Sequence, residues 1–285
     1  MTPIMSAHGL TKRYGRTLAV DHIDLEIPPG RIVGLIGPNG AGKTSALKAI
    51  LGLATYDGEL SVLGKDPATQ RAALMEDVCF IADVAVLPRW IRVSQLIEIT
   101  ERLHPGFKRE RCMQYLAQTK VTTGQKVKQL SKGMVAQLHL ALVMAIDARL
   151  LVLDEPTLGL DIISRKEFYT NLLNDYFDEN RTILVTTHQV EEIENILTDV
   201  IFIDRGRLVL DESMDSIADR FAEVSVKPDR AEAARQFGPL SEQETFGRRV
   251  FLFENGNAEQ LRDLGEMRTP GIADLFVAKI KERSA

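Results

Sequence analysis

No apolar run in this 285-residue chain approaches the ~20 residues that a helix needs to cross a bilayer, so no membrane-spanning helix is expected. The first residues, Met1-Thr2-Pro3-Ile4-Met5-Ser6, carry neither the basic nor the apolar stretch of a secretory signal, and a cytoplasmic location is the expectation. Cysteine is scarce. Cys79 and Cys112 have no metal-site spacing, and each reads as a buried thiol. Basic residues form no stripe longer than a few positions and the net charge is −5, so no nucleic-acid partner is expected. No internal repeat occurs. What remains is an ordinary soluble composition, 45% hydrophobic and 26% charged, with length for one large domain and an appendage.

Against that background one segment carries explicit chemistry. Gly37-Pro38-Asn39-Gly40-Ala41-Gly42-Lys43-Thr44 matches the phosphate-binding pattern G-x-x-x-x-G-K-[ST] in full. It follows the apolar strand Ile32-Val33-Gly34-Leu35-Ile36 and opens a helical stretch from Ser45 to Leu51. Glycines at 37, 40 and 42 let the backbone curl so that its N–H groups point at phosphate oxygens. The helix N-terminus adds partial positive charge beneath the same anion. Lys43 is placed to reach the β- and γ-phosphates of a bound nucleotide, and the Thr44 hydroxyl to ligate Mg²⁺. Asn39, Gly40, Ala41, Gly42 and Ser45 complete the expected nucleotide contacts.

Further along, the apolar run Leu151-Val152-Leu153 ends in adjacent carboxylates, Asp154-Glu155. A carboxylate at a sheet edge can hold Mg²⁺, which suits Asp154, leaving Glu155 free to orient an attacking water as a base. Shortly before them stands Leu130-Ser131-Lys132-Gly133-Met134. A phosphate loop, then a Ser-x-Gly segment, then the carboxylate pair is an order that resembles the ATP-binding cassette of ABC transporters. The resemblance covers roughly residues 4 to 210.

That resemblance implies an α/β fold: a P-loop NTPase cassette with a RecA-like core and an inserted helical subdomain. It also implies roles for residues that spacing alone leaves undecided. His188, at a strand end, would be the switch histidine near the γ-phosphate. Tyr14 would stack on adenine, with Val20 packing on the same base. Ser131 and Gly133 would contact the γ-phosphate held by an opposite subunit, so a second cassette, in the simplest case a homodimer partner, is expected. Asp161, in Gly159-Leu160-Asp161, would organise the contact between the two. A transmembrane permease subunit is the other expected partner, with the chain on the cytoplasmic face of the cell membrane. Two departures stand out. Lys132 and Met134 replace the glycine and glutamine of the commonest signature, in a form that resembles an exporter subgroup. Asp83 stands where such cassettes usually carry glutamine, and is expected to meet Mg²⁺ or its water shell. Between it and the next helix, Leu87-Pro88-Arg89-Trp90-Ile91 offers either an interface with the permease or a buried ring.

For organisation, the order of strands and helices indicates a wound α/β sheet. Residues 1–210 are expected to form the ATPase domain, with a helical subdomain from about Val93 to Asp147. Val190 to Leu197 reads as a helix, and Ile201 to Leu210 as a hairpin turning at Arg205-Gly206. Residues 211–285 read as a small α+β appendage ending in an amphipathic helix, Ile272 to Lys281. The expected function is ATP hydrolysis that powers an exporter through cassette dimerisation. A soluble ABC-type ATPase and a low-turnover regulatory subunit are the alternatives.

Overall fold

Strands buried on both faces need unbroken apolar runs, and this chain uses them to build a central parallel sheet. A computed structural model describes residues 2–82, 87–158 and 160–284. In chain order come β1 (Met5–Tyr14), β2 (Thr17–Ile27), β3 (Ile32–Ile36), α1 (Lys43–Ile50), β4 (Asp57–Val62), α2 (Arg71–Leu74) and β5 (Val78–Ile81). Next are α3 (Val93–Leu103), α4 (Arg109–Ala117), α5 (Lys132–Met144), β6 (Leu150–Asp154), α6 (Ile162–Asn171), β7 (Thr182–Thr187), β8 (Asp199–Asp204) and β9 (Arg207–Ser213). The last part holds α7 (Met214–Arg220), β10 (Phe221–Val226), α8 (Ala231–Arg235), β11 (Ser241–Thr245), β12 (Arg248–Glu254), α9 (Ala258–Leu264), β13 (Glu266–Arg268) and α10 (Ile272–Ser284).

The central sheet has the order β5-β6-β7-β3-β8-β9, parallel except for β9, which turns back beside β8. Its two faces alternate along each strand. Leu150 and Val152 point to one side with Val33, Leu35, Leu184 and Ile201, where they meet α1 and the antiparallel sheet β2-β1-β4. Leu151 and Leu153 point to the other side with Ile32, Ile183, Val185 and Phe202, against the helical region. Cys79 and Cys112 are both free and buried in this second layer, and burial pushes each thiol up to about 12.

The helical region is not one long run. α3 stops at His104-Pro105-Gly106 and α4 at Gln118, before α5 begins. The segment from Val190 to Leu197 is not an α-helix either. It forms two single 3₁₀ turns, Val190–Glu192 and Glu194–Ile196. Its apolar residues Val190, Ile193 and Ile196 recur every third position, a spacing that 3.0 residues per turn satisfies as well as 3.6 does. Arg165 then fixes the first turn from outside by donating to Gln189 and Glu192.

After β9 a second antiparallel sheet, β11-β12-β10-β13, packs Val224, Val226, Phe251 and Phe253 against α8 and α9. α10 leaves that sheet and returns to the first core. Ile272, Leu275 and Ala278 are buried there, and Phe276 meets Phe202 edge-on at 5.2 Å. The Ile272 backbone N–H donates to the Glu194 carboxylate at 3.1 Å. The amphipathic face of this helix is thus used within the chain.

Candidate nucleotide site

The loop between β3 and α1 is shaped by what surrounds it. Gly42 caps α1 with φ 111°. A Cβ there would lie 2.2 Å from the Ala19 carbonyl oxygen, so β2 approaches the loop too closely for any other residue. Gly37 is confined in the same way by the Ile203 carbonyl, 2.3 Å from where its Cβ would be. Gly40 differs: it has φ 82° but open space around it.

Lys43 is almost buried, and its Nζ donates to the carbonyls of Gly37 (2.6 Å) and Pro38 (3.3 Å). Burial holds this ammonium below its ordinary pKa, while the negative charges of Glu155 and Asp154 oppose the shift. Such an ammonium is poised to trade loop carbonyls for phosphate oxygens, which are stronger acceptors.

Beside it stands a carboxylate cluster held by hydroxyls. Asp154, at the end of β6 and 4% exposed, accepts from Thr44 Oγ1 at 3.2 Å and from Thr186 Oγ1 at 2.5 Å. Glu155 leaves the strand with φ 49°, an uncommon conformation for a residue with a side chain. Its N–H donates to the backbone oxygen (3.1 Å) and hydroxyl (3.2 Å) of Thr186, which pins the turn. The Glu155 carboxylate then lies 2.9 Å from His188 Nδ1, with the glutamate largely buried and the histidine 40% exposed. Lys43, Thr44, Asp154 and Glu155 share one cleft of about 450 Å³, lined by loop residues 38–45, Thr17–Ala19, Asp154, Glu155 and Arg205, and His188 meets it through Glu155.

Several expected residues fall elsewhere. Val20 is fully buried in the core and does not line the cleft, because β2 alternates and turns its side chain inward; Thr17, Leu18 and Ala19 line it instead. Tyr14 is 47% exposed at the end of β1, with Lys12 Nζ 4.8 Å above its ring. Ser131 caps α5, accepting from Met134 N at 3.2 Å, and is exposed away from this cleft. At Gly133 an added Cβ would meet nothing within 4 Å. Asp161 is exposed, and its backbone oxygen accepts from Arg165 N at 3.0 Å. Trp90 is 71% exposed while its neighbour Ile91 is buried. Asp83 and Gly159 lie outside the described residues.

Sequence reasoning missed Thr186 and Arg205. Thr186 was visible as a hydroxyl at a strand end two residues before His188. Arg205 was visible only as half of a turn.

Comparison with known proteins bears on the whole arrangement. A family model described as ABC transporter matches residues 20–158. The Nod factor export ATP-binding protein I of Cupriavidus metallidurans is 32% identical over 233 residues, covering 77% of this chain and 74% of that protein. The SkfA peptide export ATP-binding protein SkfE of Bacillus subtilis is 34% identical over 214 residues, covering 73% of this chain and 88% of that protein. Among solved structures, an ATP-binding subunit of an ABC transporter superposes with a TM-score of 0.70 at 21% identity, over 76% of this chain and 92% of that one.

Proposed function

This chain belongs to the ABC transporter family as an ATP-binding subunit of exporter type, and we propose that it hydrolyses ATP with Glu155 as the base that orients water. The observation that carries this reading is the 2.9 Å contact of His188 with Glu155, a carboxylate that lines the same cleft as Asp154 and the phosphate loop. Loop N–H groups and Lys43 hold the phosphates. Glu155 accepts a hydrogen bond from the attacking water, and His188 keeps that carboxylate turned toward the phosphate end. The Thr44 hydroxyl and the Asp154 carboxylate, 3.2 Å apart, are the hard oxygen donors that suit Mg²⁺. When bound there, Mg²⁺ would neutralise charge on the phosphate oxygens.

The same reading extends to partners. Ser131 and the N-terminus of α5 form an exposed anion-binding end that serves the nucleotide of a second copy. Among the described residues nothing lies within 4 Å of where a Cβ at Gly133 would be, which leaves room for close approach by another chain. Next to Glu155 in sequence, Leu158, Ile162 and Ile163 are 53%, 82% and 71% exposed, an apolar patch suited to the same contact. Exposed Trp90 offers an anchor for the permease, and in this reading the subunit works at the cytoplasmic face of the membrane. The relatives are named for Nod factor export and for SkfA peptide export, and in this reading the choice of cargo falls to the permease.

Purified Glu155→Gln tests the chemistry: turnover should fall by ~10²-fold or more while ATP binding persists and a nucleotide-bound dimer accumulates in light scattering. Hydrolysis at the unmodified rate would remove Glu155 as the base. Mixing Lys43→Ala with Ser131→Ala tests the shared site, since the mixed dimer rebuilds one intact pairing of loop and signature. Activity in neither the mixture nor either variant alone would refute the exchange of parts between chains.

A further inference from the structure

We propose that Arg205 is a nucleotide-binding residue, a second cation that meets the phosphate chain of ATP from the β8–β9 turn. The proposal deepens the reading of the cleft as the ATP site and rests on it. Among the described residues that line the cleft, Lys43 is one cation facing two carboxylates, Asp154 and Glu155. Mg²⁺ held at Thr44 and Asp154 would offset those carboxylates, which leaves Lys43 as one side-chain cation for a polyanion, and Arg205 is the other cation in the lining.

The turn is held where such a group is useful. The Gly206 N–H donates to the Ala41 carbonyl of the phosphate loop at 2.8 Å, and the Asp21 N–H donates to the Gly206 carbonyl at 2.8 Å. Arg207 Nε donates to Asp21 Oδ2 at 2.6 Å, tying β9 to β2 a second time. A Cβ on Gly206 would come within 2.9 Å of the Ala19 oxygen, and one on Gly42 within 3.4 Å of Gly206 Cα, so turn, strand and loop meet at one point. Arg205 itself takes φ 47°, an uncommon conformation for a residue with a side chain that these contacts enforce.

Its side chain is not spent on the fold. It is 88% exposed, and its nearest charged contact is Asp204 at 3.8 Å, longer than a hydrogen bond. The backbone is therefore fixed on the loop while the guanidinium is available at the rim. Arginine presents a planar fork of donors that matches phosphate oxygens. The turn is tied to Ala41 of the phosphate loop and not to Glu155, so the contact is assigned to phosphates shared by ATP and ADP.

Dissociation constants for ATP and ADP, measured with a fluorescent nucleotide competed by each, test this on the full chain. Arg205→Ala and Arg205→Gln should weaken both nucleotides by about 5–10-fold, a charge-assisted contact discounted for its exposure. Arg205→Lys should keep most of the affinity, Arg205→Glu should lose more, and the gap should narrow as salt rises. Melting of the nucleotide-free variants provides the folding control, because an exposed side chain leaves the core intact. Lys43→Ala is measured alongside. If Lys43→Ala weakens binding and the neutral Arg205 variants stay within twofold of the parent, the proposal is overturned and the cleft stands. If Lys43→Ala also has no effect, the cleft reading fails and takes this one with it. A loss seen with ATP and absent with GTP would mean that the guanidinium reads the base, and would overturn the phosphate contact.

Discussion

Replacing Thr186 by valine removes one hydroxyl from the centre of the site and leaves its shape almost unchanged. Thr186 is fully buried on β7, and its Oγ1 donates to Asp154 Oδ1 at 2.5 Å. The same oxygen accepts from the Glu155 N–H at 3.2 Å, but that N–H keeps the Thr186 carbonyl at 3.1 Å. The loss is therefore one charge-assisted bond to a buried carboxylate, which costs about 1.5–3 kcal/mol. The new methyl group returns up to about 1 kcal/mol by burial. A net loss of about 1–2 kcal/mol should lower Tm by about 3–6 °C in a chain of this size. Catalysis should suffer separately. With Thr44 as its remaining hydroxyl partner at 3.2 Å, Asp154 can rotate, and turnover should drop by roughly tenfold while ATP binding at the loop is kept. Calorimetry and steady-state turnover on Thr186→Val and Thr186→Ser decide it, because serine restores the hydroxyl and should recover both quantities. A valine variant that melts and turns over like the parent would refute the role given to this bond.

Gly42→Ala should cost far more than Gly40→Ala, although both glycines have positive φ. The first meets the Ala19 oxygen at 2.2 Å and the second meets nothing, so ATP affinity should fall by ~10-fold or more at 42 and by much less at 40 in parallel titrations. A pH effect should come from α5. His139 Nε2 is buried without a partner, and burial pushes the imidazole down to about 4. The unfolded chain takes up that proton first, near pH 6.5, so this contribution is present at neutral pH and is lost as pH falls from about 6.5 toward 4. Its size is at most about 3 kcal/mol. Urea midpoints of the parent and His139→Leu between pH 7.5 and 5 should diverge, the parent losing stability faster; parallel curves would count against it.

The central sheet was legible because burial on two faces leaves no room for polar residues. Ile32–Ile36 and Leu150–Asp154 announce themselves as runs bounded by the phosphate loop and by a carboxylate, and both are strands. The appendage was legible only in part. β10 and β12 carry the alternation that marks a half-buried strand, Val224 and Val226 against Phe251 and Phe253. β11, Ser-Glu-Gln-Glu-Thr, is an exposed edge strand whose side chains hold no apolar pattern, so its pairing with β12 could not be read locally. The two 3₁₀ turns at 190–196 failed for the opposite reason: the pattern was clear and fitted two helices equally well.

The site divides in the same way, by how far apart in sequence its parts lie. A phosphate loop must be written as glycines and a lysine at fixed spacing because one continuous backbone does the binding, and a strand end must place Asp154 and Glu155 side by side. Those constraints act within a few residues and are visible. The need for glycine at 42, however, is imposed by Ala19, and that at 37 by Ile203, from other strands. Thr186 holds Asp154 across 32 residues of chain. Arg205 reaches the cleft because Gly206 bonds to Ala41. Nothing in the spacing of these residues signals such contacts, because the sheet order β6-β7-β3-β8 creates them only after folding. Motifs thus report the groups whose chemistry is local, whereas the hydroxyl that holds Asp154 and the cation at the rim are properties of topology.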